Sequence, residues 1–246
     1  MASADAALYR LLAWVSPAFP IGAFSYSHGL EAAVEAREVS DRGGLQSWIV
    51  ATLRQGGGRV DADILRDAHR ATEAGDPLAL AEANRRGLAY RATAELALES
   101  RAQGEAFLAA CNAAWREAQL TPKRAPLSEA VTRQFEEEAD VELFGREGAC
   151  HPAAFGAAAA RAGIPLPVAL LGYLQAFAGN LVSAGLRLGV IGQSDGQRIV
   201  AALEPVVIAA VTASLVRSSE DFGSATFAAD LLSIAHETQY TRLFRS

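Results

Sequence analysis

An all-α fold is what this 246-residue chain predicts, and three observations predict it. Apolar residues recur at three- and four-residue spacing almost throughout, whereas the alternation that marks strands is nearly absent. Hydrophobic residues make up 51% and charged residues 20%, the balance of a chain with a core to bury. Glycine and proline fall between the periodic stretches, where they punctuate helices. Together these predict a single helical bundle of roughly ten helices over residues 1–246. No internal repeat, low-complexity tract or linker divides it.

Leu8, Leu11, Leu12 and Val15 outline a first amphipathic helix, stopped by Ser16–Pro17. Leu30, Ala33, Val34 and Ala36 begin a second. GGLQSWIVATLRQGGG forms a third, with Gly56–Gly57–Gly58 as its terminator, and DADILRDAHRATEAG a fourth. Gly75–Asp76–Pro77 then supplies a stop and a restart. Helical pattern runs from Leu78 to Leu120, divided near Gly87, until TPKRAP breaks it. After Leu127, Glu136–Glu137–Glu138 beside Phe135 and Val141 mark the solvated face of another helix. Apolar helices from Pro165 and over Gln197–Arg217 follow, and one over Ala228–Thr238 leads into the tail QYTRLFRS.

The formal charge of −6 argues against nucleic-acid binding, which needs a basic face. Two cysteines, Cys111 and Cys150, are too few for a secreted disulfide scaffold and point to a reducing compartment. The first residues carry Asp5 and no basic run ahead of an apolar one, unlike a signal peptide. Gln175, Asn180, Ser183 and Arg187 interrupt the apolar stretch Ile164–Gly192, which reads as a buried helix and not as a membrane span.

Catalytic patterns are tested one by one. Gly56–Gly57–Gly58 lacks the lysine and the preceding strand of a phosphate loop. His236–Glu237 opens like a zinc motif, yet position 240 is Tyr where a second His would stand, which leaves a metal-dependent hydrolase only as a weak third reading. Cys150–His151 is a pair of soft ligands, but the four histidines are scattered, so no metal site is assigned. Ser25, His28 and Glu31 lie close in sequence without an oxyanion hole or nucleophile elbow. Ser25 or Ser27 as a helix cap, with Glu31 at the positive helix end, accounts for them. No catalytic, cofactor-binding or metal residue is expected.

Two features suit contacts between proteins. Gly172, Ala176, Asn180 and Ala184 recur every four residues and let another helix approach closely, either within the chain or across a dimer seam. The tail HETQYTRLFRS interleaves Tyr240, Leu243 and Phe244 with Arg242 and Arg245, the residue types that interface centres favour.

The stretch SPAFPIGAFSYSHGLEAAVE, Ser16 to Glu35, and the tail HETQYTRLFRS resemble the urease accessory protein UreF family. TAELALESRAQGEAFL, HPAAFGAAAARAGIP, YLQAFAGNLVSAGLRLGVIGQSDGQ and ADLLSIAHE stand between them in that family's order. The resemblance implies an all-helical, dimeric, non-catalytic cytoplasmic scaffold. It implies that the chain joins a UreD-type protein (UreH in some organisms), recruits the GTPase UreG, and serves nickel delivery to apo-urease. An alternative view of the family makes it a GTPase-activating protein for UreG.

The residues that carry the match are Phe24, Ser25, Tyr26, Gly29, Leu30 and Glu31, then Gln197. In the tail they are His236, Glu237, Gln239, Tyr240, Arg242, Leu243, Phe244, Arg245 and Ser246. By the resemblance, residues 236–246 help bind the UreD-type partner. Two departures stand out: Ala235 where the family commonly has Arg, and Ala97 after Glu95–Leu96 where Arg is frequent. Arg242 or Arg245 either reaches a GTPase phosphate or pairs with a partner carboxylate, and the second reading is favoured.

Overall fold

The computed structural model describes residues 4–115, 144 and 148–246. TPKRAP, Leu127 and the acidic segment 135–141 lie outside the described residues. Those described are helical, with no strand among them. In chain order they form α1 (Ala4–Trp14), a 3-10 turn (Ala23–Ser25), α2 (Leu30–Glu35), α3 (Arg42–Gln55) and α4 (Gly57–Ala74). Then come α5 (Pro77–Ala89), α6 (Ala94–Ala114), α7 (His151–Arg161), α8 (Leu166–Arg187) and α9 (Gln193–Val216). A 3-10 turn (Ser219–Asp221) and α10 (Phe227–His236) complete the order.

Local chemistry fixes most of the boundaries. Asp41, Asp76 and Thr93 cap α3, α5 and α6 by accepting the amides of Gly44, Ala79 and Leu96, at 2.8, 3.0 and 3.2 Å. Pro77 takes the first position of α5, where its missing N–H costs nothing. Gly75 closes α4 in the left-handed region at φ 66°.

Two boundaries differ from the pattern's forecast, and one forecast helix runs through a proline. Gly56 alone forms the break after α3, and Gly57 and Gly58 already belong to α4. Gly58 stands there because its Cβ would lie 3.1 Å from the Leu53 Cα. The long stretch divides at Tyr90–Thr93 and not at Gly87, which lies within α5 against the Cys150 thiol. Pro205 sits inside α9 without ending it.

One contiguous hydrophobic core runs from Ala7 in α1 to Phe244 in the tail. At its centre α4 lies against α7, whose residues 152–159 are all buried. Alanines and Gly156 allow that approach: a Cβ on Gly156 would stand 2.4 Å from the Leu65 carbonyl oxygen. Gly104 of α6 meets the Ala149 carbonyl as closely, 2.1 Å from where its Cβ would be. Buried charges tie α4 to the end of α9. Arg217 donates to both Asp63 oxygens at 2.7 and 2.8 Å, and Arg66 donates to the Ser214 carbonyl. By length and composition α8 and α9 could each cross a membrane, yet they pack on one another and on α3 and α4.

Candidate functional site

The opening loop is shaped by backbone that few residues adopt. Gly22, His28 and Gly29 all have positive φ, at 72°, 54° and 75°. For His28, which has a Cβ, that conformation carries strain, the kind met at functional turns. Gly29 is required twice over, since a Cβ there would stand 3.0 Å from the Ser233 amide nitrogen of α10. The loop turns Phe24 outward, 65% exposed, and Tyr26 inward, 5% exposed. Its carbonyls are held from α8: Asn180 donates to Tyr26 O at 3.3 Å, and Arg187 donates to Phe24 O.

Gly29 stands at the N-cap position of α2, yet the Ser27 hydroxyl still reaches the first turn, where it accepts the Glu31 amide at 3.4 Å, and it also donates to the carbonyl of Ser246. The Ser27 amide donates to the same oxygen at 2.7 Å, and the Arg245 amide donates to Ser25 O at 2.8 Å. The opening loop and the tail are therefore laced together along their backbones.

Glu31 is the centre of the lacing. It is 7% exposed, and its carboxylate accepts the amides of Leu243 and Phe244 at 2.6 and 2.9 Å. Its Oε2 also lies 3.1 Å from His236 Nε2, while His236 Nδ1 lies 2.7 Å from Glu95 Oε2. Arg242 pairs with Glu95 from the tail side, and the Glu95 amide donates to Glu237 Oε1 at 3.3 Å. One turn along α6, Glu99 accepts the Ser246 hydroxyl at 2.9 Å and Gln103 at 2.8 Å, and faces His28 Nε2 at 3.2 Å. Burial lowers the His28 pKa, but the Glu99 charge and hydrogen bond, with Asp61 behind, raise it overall.

The matched residues thus sort into anchors and displayed groups. Tyr26, Gly29, Glu31, His236 and Phe244 are buried, with the Arg187 guanidinium 4.1 Å from the Phe244 ring centroid. Ser25, Glu237 and Gln239 are half-buried, and Gln239 donates to Thr241 O at 3.0 Å. Phe24, Tyr240, Arg242, Leu243 and Arg245 face outward, Leu243 at 59% and Tyr240 fully exposed. Gln197 lies away from the site, exposed on α9.

The small-residue stripe on α8 is engaged inside the chain. A Cβ on Gly172 would stand 2.8 Å from Leu11 of α1, Asn180 holds the loop, and Ala184 is buried. Ala176 lines a cavity beneath the loop. Cys150 and His151 begin α7 in the core; burial pushes the Cys150 thiol up to about 11 and the His151 ring down to about 4. Among the described residues no group of three His, Cys, Asp or Glu side chains could hold a metal ion.

Spacing alone did not point to Glu95, Glu99, Ser27 or Arg187, which hold the tail in place. A signal was present: Glu95 and Glu99 stand four apart on one face of α6, on either side of the apolar run 96–98, a setting that calls for partners for them.

Residues 39–204 match the UreF family model. A urease accessory protein UreF from Bradyrhizobium sp. (strain ORS 278) is 48% identical over 98% of this chain and 92% of its own. UreF of Rhodopseudomonas palustris (strain TIE-1) is 45% identical over 100% and 95%. UreF of Granulibacter bethesdensis is 46% identical over 98% and 95%. The Rhodopseudomonas palustris match spans both the loop and the tail that Glu31 joins, and the chain belongs to the UreF family of urease accessory proteins.

Proposed function

We propose that this chain is a non-catalytic cytoplasmic scaffold in urease maturation, one helical domain over residues 1–246 that acts as a homodimer. It joins a UreD/UreH-type protein and the GTPase UreG to apo-urease for GTP-dependent nickel insertion. The observation that carries the reading is the buried Glu31 hub. It spends the motif's most polar residues on fixing the tail, so that Phe24, Leu243 and Arg245 are offered on one rigid edge with Tyr240 beyond them. Preorganised aromatic, aliphatic and arginine groups are what interface hot spots are made of. Co-purification of the UreD-type partner with a Tyr240→Ala/Leu243→Ala variant tests it. Capture should fall by about tenfold or more, and undiminished capture would sink the tail's role.

A second reading, activation of GTP hydrolysis by UreG, is favoured by one observation. Arg245 is exposed, whereas Arg242 is held by Glu95. Single-turnover hydrolysis by UreG separates the two. A large acceleration lost in Arg245→Ala supports activation, and unchanged or slowed hydrolysis supports the scaffold.

A further inference from the structure

Beneath the opening loop lies a cavity of about 290 Å³, closed on one side by Trp14, Phe19, Phe155 and Phe177. Its opposite side is polar. Arg91 donates to Asp61 at 2.8 Å, and the Tyr173 hydroxyl donates to the other Asp61 oxygen at 2.9 Å. Glu99 faces His28, whose strained backbone holds its ring 4.9 Å from the Phe177 ring and at the cavity wall. Each carboxylate at this wall has its own cationic or donor partner.

What remains unpaired is a set of donors. The Trp14 indole N–H, the Arg91 Nη2 and the Ser100 hydroxyl are buried, make no hydrogen bond, and belong to residues that line this one cavity. Trp14 is 2% exposed and Ser100 5%. A buried donor without an acceptor is costly, and three around one space call for the same remedy. Aromatic walls with a few convergent polar groups are the make-up of small-molecule sites, and the volume is near their lower limit.

We propose that this cavity is a binding site for a small neutral molecule with an apolar ring and a carbonyl oxygen, the two lone pairs of the oxygen accepting from Arg91 and Ser100. A neutral ligand is specified because Arg91 is already matched by Asp61, and an added carboxylate would meet Asp61 and Glu99 with no spare cation. The ring lies among Phe19, Phe155 and Phe177.

Gly179 supplies the test. It lines the cavity, and a Cβ there would have only the Gln175 amide as neighbour, at 4.0 Å. A leucine Cβ at this position therefore meets no close neighbour, its side chain extends from the cavity wall, and it is the better helix former. Titrations of the full chain with indole-3-acetamide and with indole-3-acetate, followed by calorimetry and ligand-observed NMR, give the readout. Saturable binding of the amide is expected, weaker by about three- to tenfold in Ser100→Ala, the size of one neutral hydrogen bond. It should be abolished in Gly179→Leu, whose circular dichroism and melting temperature stay at least those of the parent. No saturable binding of the amide, equal binding by Gly179→Leu, or tighter binding of the acid would each overturn the proposal. Water alone would then satisfy the donors.

Discussion

A single carboxylate, Glu31, expected only to sit at the positive end of α2, instead gathers the tail. Its two tail amides and the His236 ring are charge-assisted contacts at a 7% exposed site, each worth about 1.5–3 kcal/mol. Glu31→Gln keeps the shape but not the charge. We expect a loss of about 2–4 kcal/mol in denaturant unfolding, and hydrogen exchange at the Leu243 and Phe244 amides should rise well before that of α4. An unchanged exchange rate there would refute the hub. His151 gives the pH counterpart. Its ring is held near 4 by burial, below the ordinary 6.5, so in acid the unfolded chain takes up a proton that the folded chain refuses. Stability from this group is present above about 6.5 and is lost as pH falls towards 4. His151→Phe, in a site already lined by Phe107, Phe155 and Tyr173, should flatten that acid limb in melts between pH 7 and 4. His28, with its raised pKa, contributes with the opposite sign, and its share fades as pH rises through its folded value.

At the scale of elements, close approach sets the cost of change. The Cβ of Gly156→Ala would meet the Leu65 carbonyl of α4 at 2.4 Å, where backbone cannot yield. Gly185→Ala meets only the Leu45 methyl at the same distance, which can rotate. The first should cost about 3 kcal/mol or more and the second about 1; equal melting temperatures would refute the distinction. The helices themselves were legible, because Asp41, Asp76, Thr93 and the apolar periodicity are local signals. The division at Tyr90–Thr93 was less so. Gly87 looked like a break, but it is a contact glycine within α5, and contact depends on α7, some sixty residues on. The site was half legible for the same reason. Residue type picked out Tyr240, Arg242, Leu243, Phe244 and Arg245 as interface groups, and of these Phe244 is buried. That His236 and Phe244 turn inward depends on Glu95, Glu31 and Arg187, which no spacing rule links to the tail.

Across the whole molecule, the loop and the tail act as one clasp over the core, since Phe244 belongs to the same apolar cluster as Ala7 and Leu170. Removing residues 242–246 should lower the melting temperature by several degrees while leaving far-ultraviolet circular dichroism almost unchanged, because no helix is deleted. A loss of helical signal in proportion to the loss of stability would contradict this. The clasp also has a place in time. Glu31 waits across 212 positions for the Leu243 amide, so during vectorial synthesis its carboxylate has no mate until the tail emerges from the ribosome. The edge that carries Phe24 is therefore completed last, after the helices are made. A chain that has not yet made the tail can fold much of its body yet offers no finished edge.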